Sequence, residues 1–441
     1  TLIKNVTLLT MGHDSKLIQD SSIFFTDDLI TAVGDIPQSF VPDEIIDGRN
    51  CLVMPALYNA HTHAAMTLER GWAEDLAFED WLNKKIWVAE SALEEDDIYW
   101  GTSLAALEMI KTGVVGFADH YFWMDHVARV IEESGMKGLL AWCHFGTSSQ
   151  HELGGISFDE TMSFVNRWNN AAHGRIRTVV GPHSPYMVPQ IVLEKYVGEA
   201  CRFGVGAHIH LSESNEQMIN SINKHGKTPV AYLNDIGLFD LPAPTLVAHC
   251  NVLDEGDYDI LCCKNVYVAH TPKTYMKLAM KMPDVPRLLR SGVKVALGTD
   301  GPASNSDFNM WEVIRLTGLV QKYLTGDPTE MERNTLLNLA VNSPAEAMGF
   351  TDTGVLKAGK KADLIMMDLS APHWFPHHDI LAGLVYTASP ADVKAVWCDG
   401  NCLYRNGEFL TLDYERICYE AEKRSFRMTG KPMQQLRRYQ G

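Results

Sequence analysis

Two imidazoles stand one residue apart at the end of an apolar run, and this spacing suits a metal ion. The apolar residues 51–58 lead directly into Asn59-Ala-His-Thr-His63. On an extended strand the side chains at positions i and i+2 point to the same face, so His61 and His63 could reach one ion. The pair predicts one half of a metal site.

Further candidate ligands stand at the ends of later strand-like runs, namely His210, His249 and Asp300. The three imidazoles and one carboxylate of His61, His63, His210 and Asp300 form a donor set that suits Zn²⁺, with Fe²⁺ or another divalent ion as the alternative. A bound divalent ion lowers the pKa of a water ligand toward about 7. The set therefore predicts hydrolytic chemistry.

Three residues at the predicted strand ends could move protons or stabilise charge. Glu213 follows His210 by three positions, where its carboxylate could transfer a proton to a substrate ring nitrogen or a leaving group. His249 is expected to orient the attacking water and the developing oxyanion. Asp300 is expected to bind the ion through one oxygen and accept a proton through the other. Because a lone strand-end histidine is more often structural, the prediction rests on the whole set.

Eight strand-like runs alternate with amphipathic helical stretches in the middle of the chain. Strands are predicted at residues 52–59, 113–119, 137–142, 176–181, 204–210, 245–249, 265–269 and 293–299. Helices are predicted at residues 98–112, 188–203 and 285–291, and a closing helix at residues 413–427. This alternation over about 250 residues predicts an α/β fold, a (β/α)8 TIM barrel. The strand ends of such a barrel open on one face, which would bring the candidate residues together.

Short β segments flank this region on both sides. They are predicted at residues 2–9, 22–25, 29–33, 362–368 and 393–404. Neither group is large enough to bury a face alone, so both termini are expected to form one small discontinuous β-sandwich domain. The expected division is residues 1–55 with 355–441 for this β-sandwich domain, and residues 56–354 for the catalytic barrel.

Composition and charge exclude several classes of function. A hydrophobic content of 46% is typical of a soluble globular protein, and a formal charge of −17 argues against nucleic-acid and anionic-membrane binding. Nine scattered cysteines, two of them adjacent, do not resemble a disulfide framework, which favours a cytoplasmic location. Neither a secretory leader nor a membrane-spanning run is expected. A small-molecule heterocyclic substrate suits this composition better than a polyanion.

Seven motifs distributed over nearly the whole chain carry a family resemblance. They lie at residues 59–68, 70–75, 78–82, 181–186, 208–213, 248–250 and 297–305. These motifs resemble the amidohydrolase superfamily, specifically its mononuclear zinc aminohydrolases that deaminate S-adenosylhomocysteine, 5′-methylthioadenosine and related adenosines. The resemblance implies the same ligands and the same catalytic Glu213 and His249 as the residue pattern does. It also implies a homo-oligomer.

The resemblance further implies substrate contacts that spacing alone does not indicate. Trp81 is expected to pack against the bound base or sugar, and Glu90 to bind the ribose hydroxyls. His183 is expected to contact the heterocycle or the ribose, with assistance from Ser304. A carboxylate that accepts from two vicinal hydroxyls forms charge-assisted hydrogen bonds, which suits the role of Glu90.

Two segments depart from the family pattern. Relatives that accept S-adenosylhomocysteine hold its amino-acid carboxylate with Arg residues after the third barrel strand, but residues 142–166 contain neither Arg nor Lys. Binding of that amino-acid tail is therefore not expected. The bulky Lys273 and Tyr275 after the seventh strand predict a reshaped pocket, which leaves substrates other than nucleosides open.

The preferred hypothesis is a metal-dependent hydrolytic deaminase of an amino-substituted heterocycle. Its expected substrate is 5′-methylthioadenosine or a related adenosine or purine, and its product is ammonia. The alternatives are a triazine-type hydrolase that displaces chloride or an alkylamine, and a guanine-, cytosine- or pterin-type deaminase. A non-catalytic binding protein that retains the fold is the non-enzyme alternative.

Overall fold

The computed structural model describes residues 1–12, 14–37, 40–145 and 157–430. Its strands are β1 (Leu2–Leu9), β2 (Leu17–Thr26), β3 (Leu29–Val33), β4 (Ile45–Asp47), β5 (Cys51–Pro55), β6 (Leu57–Thr62), β7 (Val114–Tyr121), β8 (Lys137–His144), β9 (Ile176–Pro182), β10 (His208–Leu211), β11 (Thr245–His249), β12 (Val266–His270), β13 (Lys294–Leu297), β14 (Leu364–Asp368), β15 (Val393–Cys398), β16 (Asn401–Arg405) and β17 (Glu408–Phe409).

Helices connect most of these strands. They are α1 (Phe78–Trp81), α2 (Trp87–Glu90), α3 (Glu95–Thr112), α4 (Met124–Ser134), α5 (Phe158–Trp168), α6 (Gln190–Phe203), α7 (Asn215–His225), α8 (Pro229–Ile236), α9 (Glu255–Cys262), α10 (Pro272–Lys277), α11 (Val285–Arg290), α12 (Pro302–Asn305), α13 (Met310–Thr325), α14 (Arg333–Ala347), α15 (Ile380–Tyr386) and α16 (Tyr414–Met428). A π-helical turn, Leu82–Ile86, separates α1 from α2. Among the described residues, no helix combines the length and hydropathy that a membrane span requires.

Local signals explain where the long helix α3 begins and ends. The N–H of Glu94 donates to the carboxylate of Asp97 at 2.7 Å, which forms a capping box at the first turn. Gly113 ends the helix with φ 91°, a left-handed conformation that costs glycine little, and the chain turns directly into β7. The predicted helix at residues 98–112 is therefore present, with one additional turn at its start.

Two four-stranded parallel sheets form the centre of the molecule. The first pairs β6, β7, β8 and β9 in that order, and the second pairs β10, β11, β12 and β13. Every residue of β7 and β8 is buried, as expected for parallel strands whose outer faces are covered by helices. The predicted α/β arrangement with parallel strands is confirmed.

Contacts at both seams bring the two parallel sheets edge to edge. Val180 of β9 forms a parallel bridge with Ala207, and its N–H donates to the C=O of Gly206 at 3.1 Å. At the other seam the N–H of Asp300 donates to the C=O of His61 at 2.9 Å. The end of β13 therefore reaches the end of β6, although no ladder of strand hydrogen bonds joins these two strands within the described residues.

Both chain termini contribute strands to a third sheet. Its order is β17-β16-β15-β14-β5-β1-β2-β3, and β4 pairs with β1. β14 runs antiparallel to β5, with Ile365 opposite Met54, so the C-terminal strands extend the N-terminal sheet. The two groups of terminal strands thus share one nine-stranded sheet, and the expected two-layer sandwich is not confirmed.

The single strand predicted at residues 52–59 is wrong. β5 ends at Pro55 in the terminal sheet, and β6 begins at Leu57 in the first parallel sheet. Ala56 lies between them and donates its N–H to the C=O of Asp363 at 3.0 Å. Every residue of both strands is buried, so the hydrophobic pattern contains no break to mark the passage from one sheet to the other.

A buried ion cluster joins the terminal sheet to the first parallel sheet. Lys137, at the start of β8, places its Nζ 2.5 Å from Asp363 Oδ2 and 2.7 Å from Asp399 Oδ1. Tyr58 of β6 and Thr353 donate to the same Asp363 oxygen at 2.7 Å and 2.6 Å. Asp363 precedes β14, and Asp399 lies in the turn between β15 and β16, so the cluster connects the two sheets.

Candidate active site

Four side chains from the ends of β6, β10 and β13 lie close together. His63 Nε2 lies 3.3 Å from His210 Nε2 and 3.4 Å from Asp300 Oδ1, and His61 Nε2 lies 3.6 Å from that oxygen. Ligands in a tetrahedral arrangement, about 2.0–2.1 Å from a zinc ion, are about 3.3–3.4 Å apart. The observed separations therefore match the spacing of metal ligands.

The hydrogen bonds of the second ring nitrogens orient the ligands. The Nδ1–H of His63 donates to the C=O of His120 at 2.7 Å, and the Nδ1–H of His210 donates to the C=O of His183 at 3.0 Å. Both Nε2 atoms then carry lone pairs, which face each other at 3.3 Å. The buried Nε2 of His61 has no hydrogen-bond partner among the described residues. A cation at this point would satisfy all three nitrogens, so the donor set fits a divalent ion.

The electrostatic environment favours the neutral form of His61 and of His210. Burial and the neighbouring imidazoles lower the pKa of His61 well below its usual value. Burial, followed by the effect of His63, lowers the pKa of His210 to about 4. A histidine must be neutral to bind a metal ion. His249 lies beside this set, and its ligand atom is within 4.8 Å of those of His61 and His210.

The backbone is strained where two of these side chains leave their strands. His249 has φ 85° and Asp300 has φ 71°, a region that costs a residue other than glycine about 1–3 kcal/mol. Asp300 is held there by its N–H bond to His61 and by the N–H of Gly301, which donates to Asp300 Oδ1 at 2.8 Å. Such strain at strand ends is typical of functional sites.

Glu213 lies next to the imidazole cluster, with its two oxygens in different surroundings. Its Oε1 is 3.3 Å from His249 Nε2, and its Oε2 accepts from Tyr186 at 2.5 Å and from Gln217 at 3.1 Å. Burial alone would raise the pKa of Glu213, but His249, His210 and these hydrogen bonds together lower it below its usual value. Glu213 is therefore ionised at neutral pH and can accept a proton.

A cavity opens beside the cluster. The four residues predicted to contact the substrate, Trp81, Glu90, His183 and Ser304, all line it. Of the predicted ligand and catalytic residues, the lining includes His63, His210, Glu213, His249 and Asp300. His61 is fully buried behind this surface. The structure thus brings every predicted site residue to one place, and their individual roles remain predictions.

The rest of the cavity wall is mainly apolar and aromatic. Within the described part of the chain, no Lys or Arg lines the cavity. Its apolar lining includes Phe78, Trp87, Phe122, Phe145, Leu278 and Met280. Glu90, Glu213 and Asp300 line the same cavity, whose described lining contains no Lys or Arg to pair with their carboxyl groups. An uncharged, partly apolar ligand suits this wall.

Glu90 belongs to a pair of buried carboxyl groups. Burial raises the pKa of Glu90 to about 7, although a hydrogen bond from Tyr121 at 2.6 Å opposes this shift. Burial, and then the charge of Glu90, raises the pKa of Glu69 well above its usual value. Neither oxygen of Glu69 has a hydrogen-bond partner among the described residues. The surroundings of Glu69 therefore favour its protonated form.

Sequence reasoning assigned no role to several residues that the structure places at the site. Tyr186 and Gln217 hold Glu213, Tyr121 holds Glu90, and His208 meets His61 Nδ1 at 2.8 Å. Tyr121 is the last residue of the buried strand β7 and His208 is the first residue of the buried strand β10, so both are polar residues in apolar runs, which is a signal that the sequence contains. Which residue each of these side chains bonds to depends on the fold, and the sequence contains no signal for it.

The expected effect of Lys273 and Tyr275 on the pocket is not observed. Lys273 turns away and pairs with Asp307 and Glu312, with 2.6 Å between its Nζ and Asp307 Oδ2. Tyr275 is fully buried, and its hydroxyl accepts from the N–H of Thr271 at 3.1 Å. Neither residue lines the cavity. Of the residues of α10, only Thr274 does.

Known proteins resemble this chain over nearly its full length. The amidohydrolase family profile matches residues 52–403. A 5-methylthioadenosine/S-adenosylhomocysteine deaminase of Pelotomaculum thermopropionicum is 43% identical over 433 residues, which are 98% of this chain and 99% of the relative. A 5′-deoxyadenosine deaminase of Methanosarcina acetivorans is 41% identical over 420 residues, which are 95% and 96% of the two chains. The crystal structure of a zinc-bound adenosine deaminase from Xanthomonas campestris matches with a TM-score of 0.91 at 29% identity, covering 97% and 98%.

Proposed function

The chain belongs to the amidohydrolase family, and we propose that it is a hydrolytic deaminase of adenosine derivatives that prefers 5′-methylthioadenosine. The reaction hydrolyses the C–N bond of an amino-substituted ring and releases ammonia. One observation carries the proposal, namely the close approach of His61, His63, His210 and Asp300 beside the cavity that Glu213 lines. The relatives that deaminate 5′-methylthioadenosine and 5′-deoxyadenosine support the substrate class.

The proposed cofactor is one Zn²⁺ ion, with Fe²⁺ or another divalent ion as the alternative. His61, His63, His210 and Asp300 would hold it, and their ligand-atom spacing supports this assignment. When bound, a divalent ion polarises a water molecule and lowers its pKa toward about 7. The zinc in the Xanthomonas campestris adenosine deaminase supports the choice of metal.

Glu213 would carry protons between the attacking water and the substrate. Its lowered pKa supports a starting state in which it accepts a proton, which it then delivers to the ring nitrogen beside the amino-bearing carbon. That carbon becomes tetrahedral, and a further proton transfer to the amino group allows ammonia to leave. Tyr186 and Gln217 would keep Glu213 Oε2 fixed while Oε1 exchanges protons.

His249 and Asp300 would complete the catalytic group. His249 would orient the attacking water and stabilise the developing negative charge, since its Nε2 lies 3.3 Å from Glu213 Oε1. Asp300 would use Oδ1, which faces His61 and His63, as a ligand. Its Oδ2 would accept a proton from the attacking water.

The remaining cavity residues would select the substrate. Trp81 would pack against the base or sugar, Glu90 would accept from the ribose hydroxyls, and His183 and Ser304 would contact the heterocycle or ribose. The absence of Lys and Arg from the described lining, and from residues 142–166, supports an uncharged 5′-substituent. A substrate carboxylate would enter this cavity without a cationic partner, which is costly.

We also propose the finer architecture and assembly that the sequence predicts. The hydrogen bonds at both seams support closure of the eight parallel strands into one barrel, residues 56–354. The nine-stranded sheet shared by both termini supports one β domain of residues 1–55 and 355–441 beside the barrel. The nine cysteines, all within the described residues, form no disulfide bond, which suits a reducing cytoplasm. The family resemblance supports a homo-oligomer.

Ammonia release from a panel of heterocycles tests the proposed function. Zinc-loaded protein should deaminate 5′-methylthioadenosine, 5′-deoxyadenosine and adenosine. Its kcat/KM for S-adenosylhomocysteine should be about 10- to 100-fold lower, because an unpaired carboxylate is costly to bury. Guanine, cytosine, pterins and an aminated triazine complete the panel. Chloride release from a chlorotriazine, with no ammonia from any adenosine, would contradict the proposal.

A Glu213→Gln variant is the matched control for this assay. It retains the shape of the side chain and one acceptor oxygen but cannot carry the proton. The variant should bind zinc with unchanged stoichiometry and lose about 10²–10⁴ in kcat. Turnover equal to that of the wild type would refute the role of Glu213 without refuting the metal site.

A further inference from the structure

The three imidazoles of the donor set differ in how their second nitrogens are held. The Nδ1–H groups of His63 and His210 donate to backbone carbonyls. His61 is different, because its Nδ1 lies 2.8 Å from Nε2 of another imidazole, that of His208. A carbonyl oxygen can only accept, so it leaves one tautomer for His63 and His210. An imidazole nitrogen can donate or accept, so two tautomers of His61 are possible.

Only one of the two proton arrangements leaves His61 able to bind a metal ion. If His61 Nδ1–H donates to His208 Nε2, His61 Nε2 keeps its lone pair and faces the donor set. If His208 Nε2–H donates to His61 Nδ1, the neutral His61 carries its proton on Nε2 and cannot act as a ligand. The second arrangement would point an N–H at Asp300 Oδ1, 3.6 Å away, and would block the site.

We propose that His208 is a positioning residue that accepts the Nδ1 proton of His61 and thereby presents His61 Nε2 to the metal ion. This inference rests on the proposed metal site. His208 would hold its own single proton on Nδ1, and that atom has no hydrogen-bond partner among the described residues. The metal-competent arrangement therefore requires a neutral His208 with the proton on its far nitrogen.

Packing holds His208 in the orientation that this role requires. His61 and His208 are both fully buried, and their ring centroids are 4.9 Å apart with an interplanar angle of 72°. His120 stacks on His208 with centroids 5.1 Å apart and an angle of 27°. His208 lies on β10 two residues before His210, so one strand supplies a ligand and the positioning residue of another ligand.

The identity of the partner also affects the charge of the donor set. Metal-bound histidines often donate to carboxylates, which makes the imidazole a stronger donor. A neutral His208 adds no negative charge behind His61. Asp300 would then be the only anion among the ligands and the hydrogen-bond partner of His61. Such a set leaves more positive charge on the ion to polarise water than a set with a second carboxylate would.

Zinc affinity of a His208→Leu variant tests this inference. Leucine fills similar space but cannot accept a proton, so the dissociation constant for zinc should rise about 10- to 100-fold, as for other losses of a ligand's hydrogen-bond partner. Competition with a chromophoric chelator measures this constant, and circular dichroism checks the fold. A His208→Gln variant, whose amide oxygen can accept the proton, should recover most of the affinity.

His270→Leu is the matched control. His270 is also fully buried at a strand end, and neither of its ring nitrogens has a hydrogen-bond partner among the described residues. The same substitution there should leave zinc affinity unchanged. An equal loss in both variants, or wild-type affinity in His208→Leu, would overturn the inference while the proposed function stands. If the wild type itself bound no zinc, the proposed function and the inference would both fail.

Neutron diffraction of the zinc-loaded wild type checks the inference without a variant, even if His208→Leu does not fold. A deuteron on His61 Nδ1 and another on His208 Nδ1 are expected. A deuteron on His208 Nε2, in the bond between the two rings, would overturn it.

Discussion

Glu69 is a residue whose charge the fold suppresses. It is 1% exposed and lies near Glu90, which lines the cavity. Burial raises the pKa of Glu90 to about 7, and burial followed by the charge of Glu90 raises the pKa of Glu69 well above its usual value. Two carboxylates so close in a buried region cannot both ionise readily, so the pair holds at least one proton at neutral pH. Glu69 thereby limits the negative charge beside the substrate cavity.

Replacing Glu69 by Gln should stabilise the protein relative to the wild type as pH rises. In the folded protein the pKa of Glu69 is raised above 4.5. The stability that the proton on Glu69 contributes is therefore complete below about pH 4.5 and is lost as pH rises toward this folded-state pKa. Over that range the unfolding free energy of the wild type should fall by up to about 1.4 kcal/mol per pH unit relative to the variant. Urea unfolding between pH 5 and pH 8 measures the difference.

An exposed position serves as the control for this pH effect. Glu132 lies on the outer face of α4, so Glu132→Gln should give a stability profile parallel to that of the wild type. If Glu69→Gln also ran parallel to the wild type, the buried carboxyl would not be protonated as we infer.

Among the elements, the approach of β13 to β6 assembles the donor set. Gly298 follows β13, and a Cβ at this position would lie 2.8 Å from His61 N and 3.1 Å from His61 Cβ. This close approach lets the N–H of Asp300 bond to the C=O of His61. Asp300 consequently lies beside His61 and His63, although it is far from them in the sequence.

A Gly298→Ala variant should therefore lose both stability and zinc affinity. The added methyl group must push the backbone of His61 away, which should cost about 1–3 kcal/mol of unfolding free energy. Denaturant unfolding and chelator competition measure the two effects. Gly198→Ala in α6 is the control, because a Cβ there meets no atom within 4 Å and should be neutral or stabilising by up to about 1 kcal/mol. Equal behaviour of the two variants would contradict the role of Gly298.

Across the molecule as a whole, the cluster of Lys137, Asp363 and Asp399 connects the terminal sheet to the parallel strands. Burial alone would raise the pKa of Asp363, but Lys137 and several hydrogen bonds together lower it below its usual value. The side chain of Lys137 is 3% exposed and that of Asp363 is fully buried. A charge left unpaired there would have no access to water.

Lys137→Met should destabilise the protein by about 3–5 kcal/mol, because removing one partner leaves a buried charge uncompensated. Urea unfolding of the zinc-loaded protein measures this loss. The partly exposed ion pair of Lys264 and Asp240 provides the control, with 2.6 Å between Lys264 Nζ and Asp240 Oδ1. Lys264→Met should cost no more than about 1 kcal/mol. A similar small cost in both variants would show that the buried cluster does not hold the sheets together.

Local patterns in the sequence were sufficient to predict which residues gather at the site and most of its framework. His61 and His63 were found because the period-two geometry of a strand is local, and His210, His249 and Asp300 because polar residues interrupt apolar runs at strand ends. The α/β alternation followed from the same patterns, which depend on neighbours within a few residues. The joining of both termini was predicted because neither group of strands could bury a face alone.

Which side chains meet became clear only in the folded molecule. The bond between His61 and His208 spans 147 residues, and the bond between Tyr186 and Glu213 spans 27. The split of residues 52–59 between two sheets, and the outward turn of Lys273, were equally invisible in the sequence. Hydrogen bonding requires two atoms within about 3 Å, and that distance depends on strand register and packing across the whole chain. Residue types and local periodicity contain no such distances.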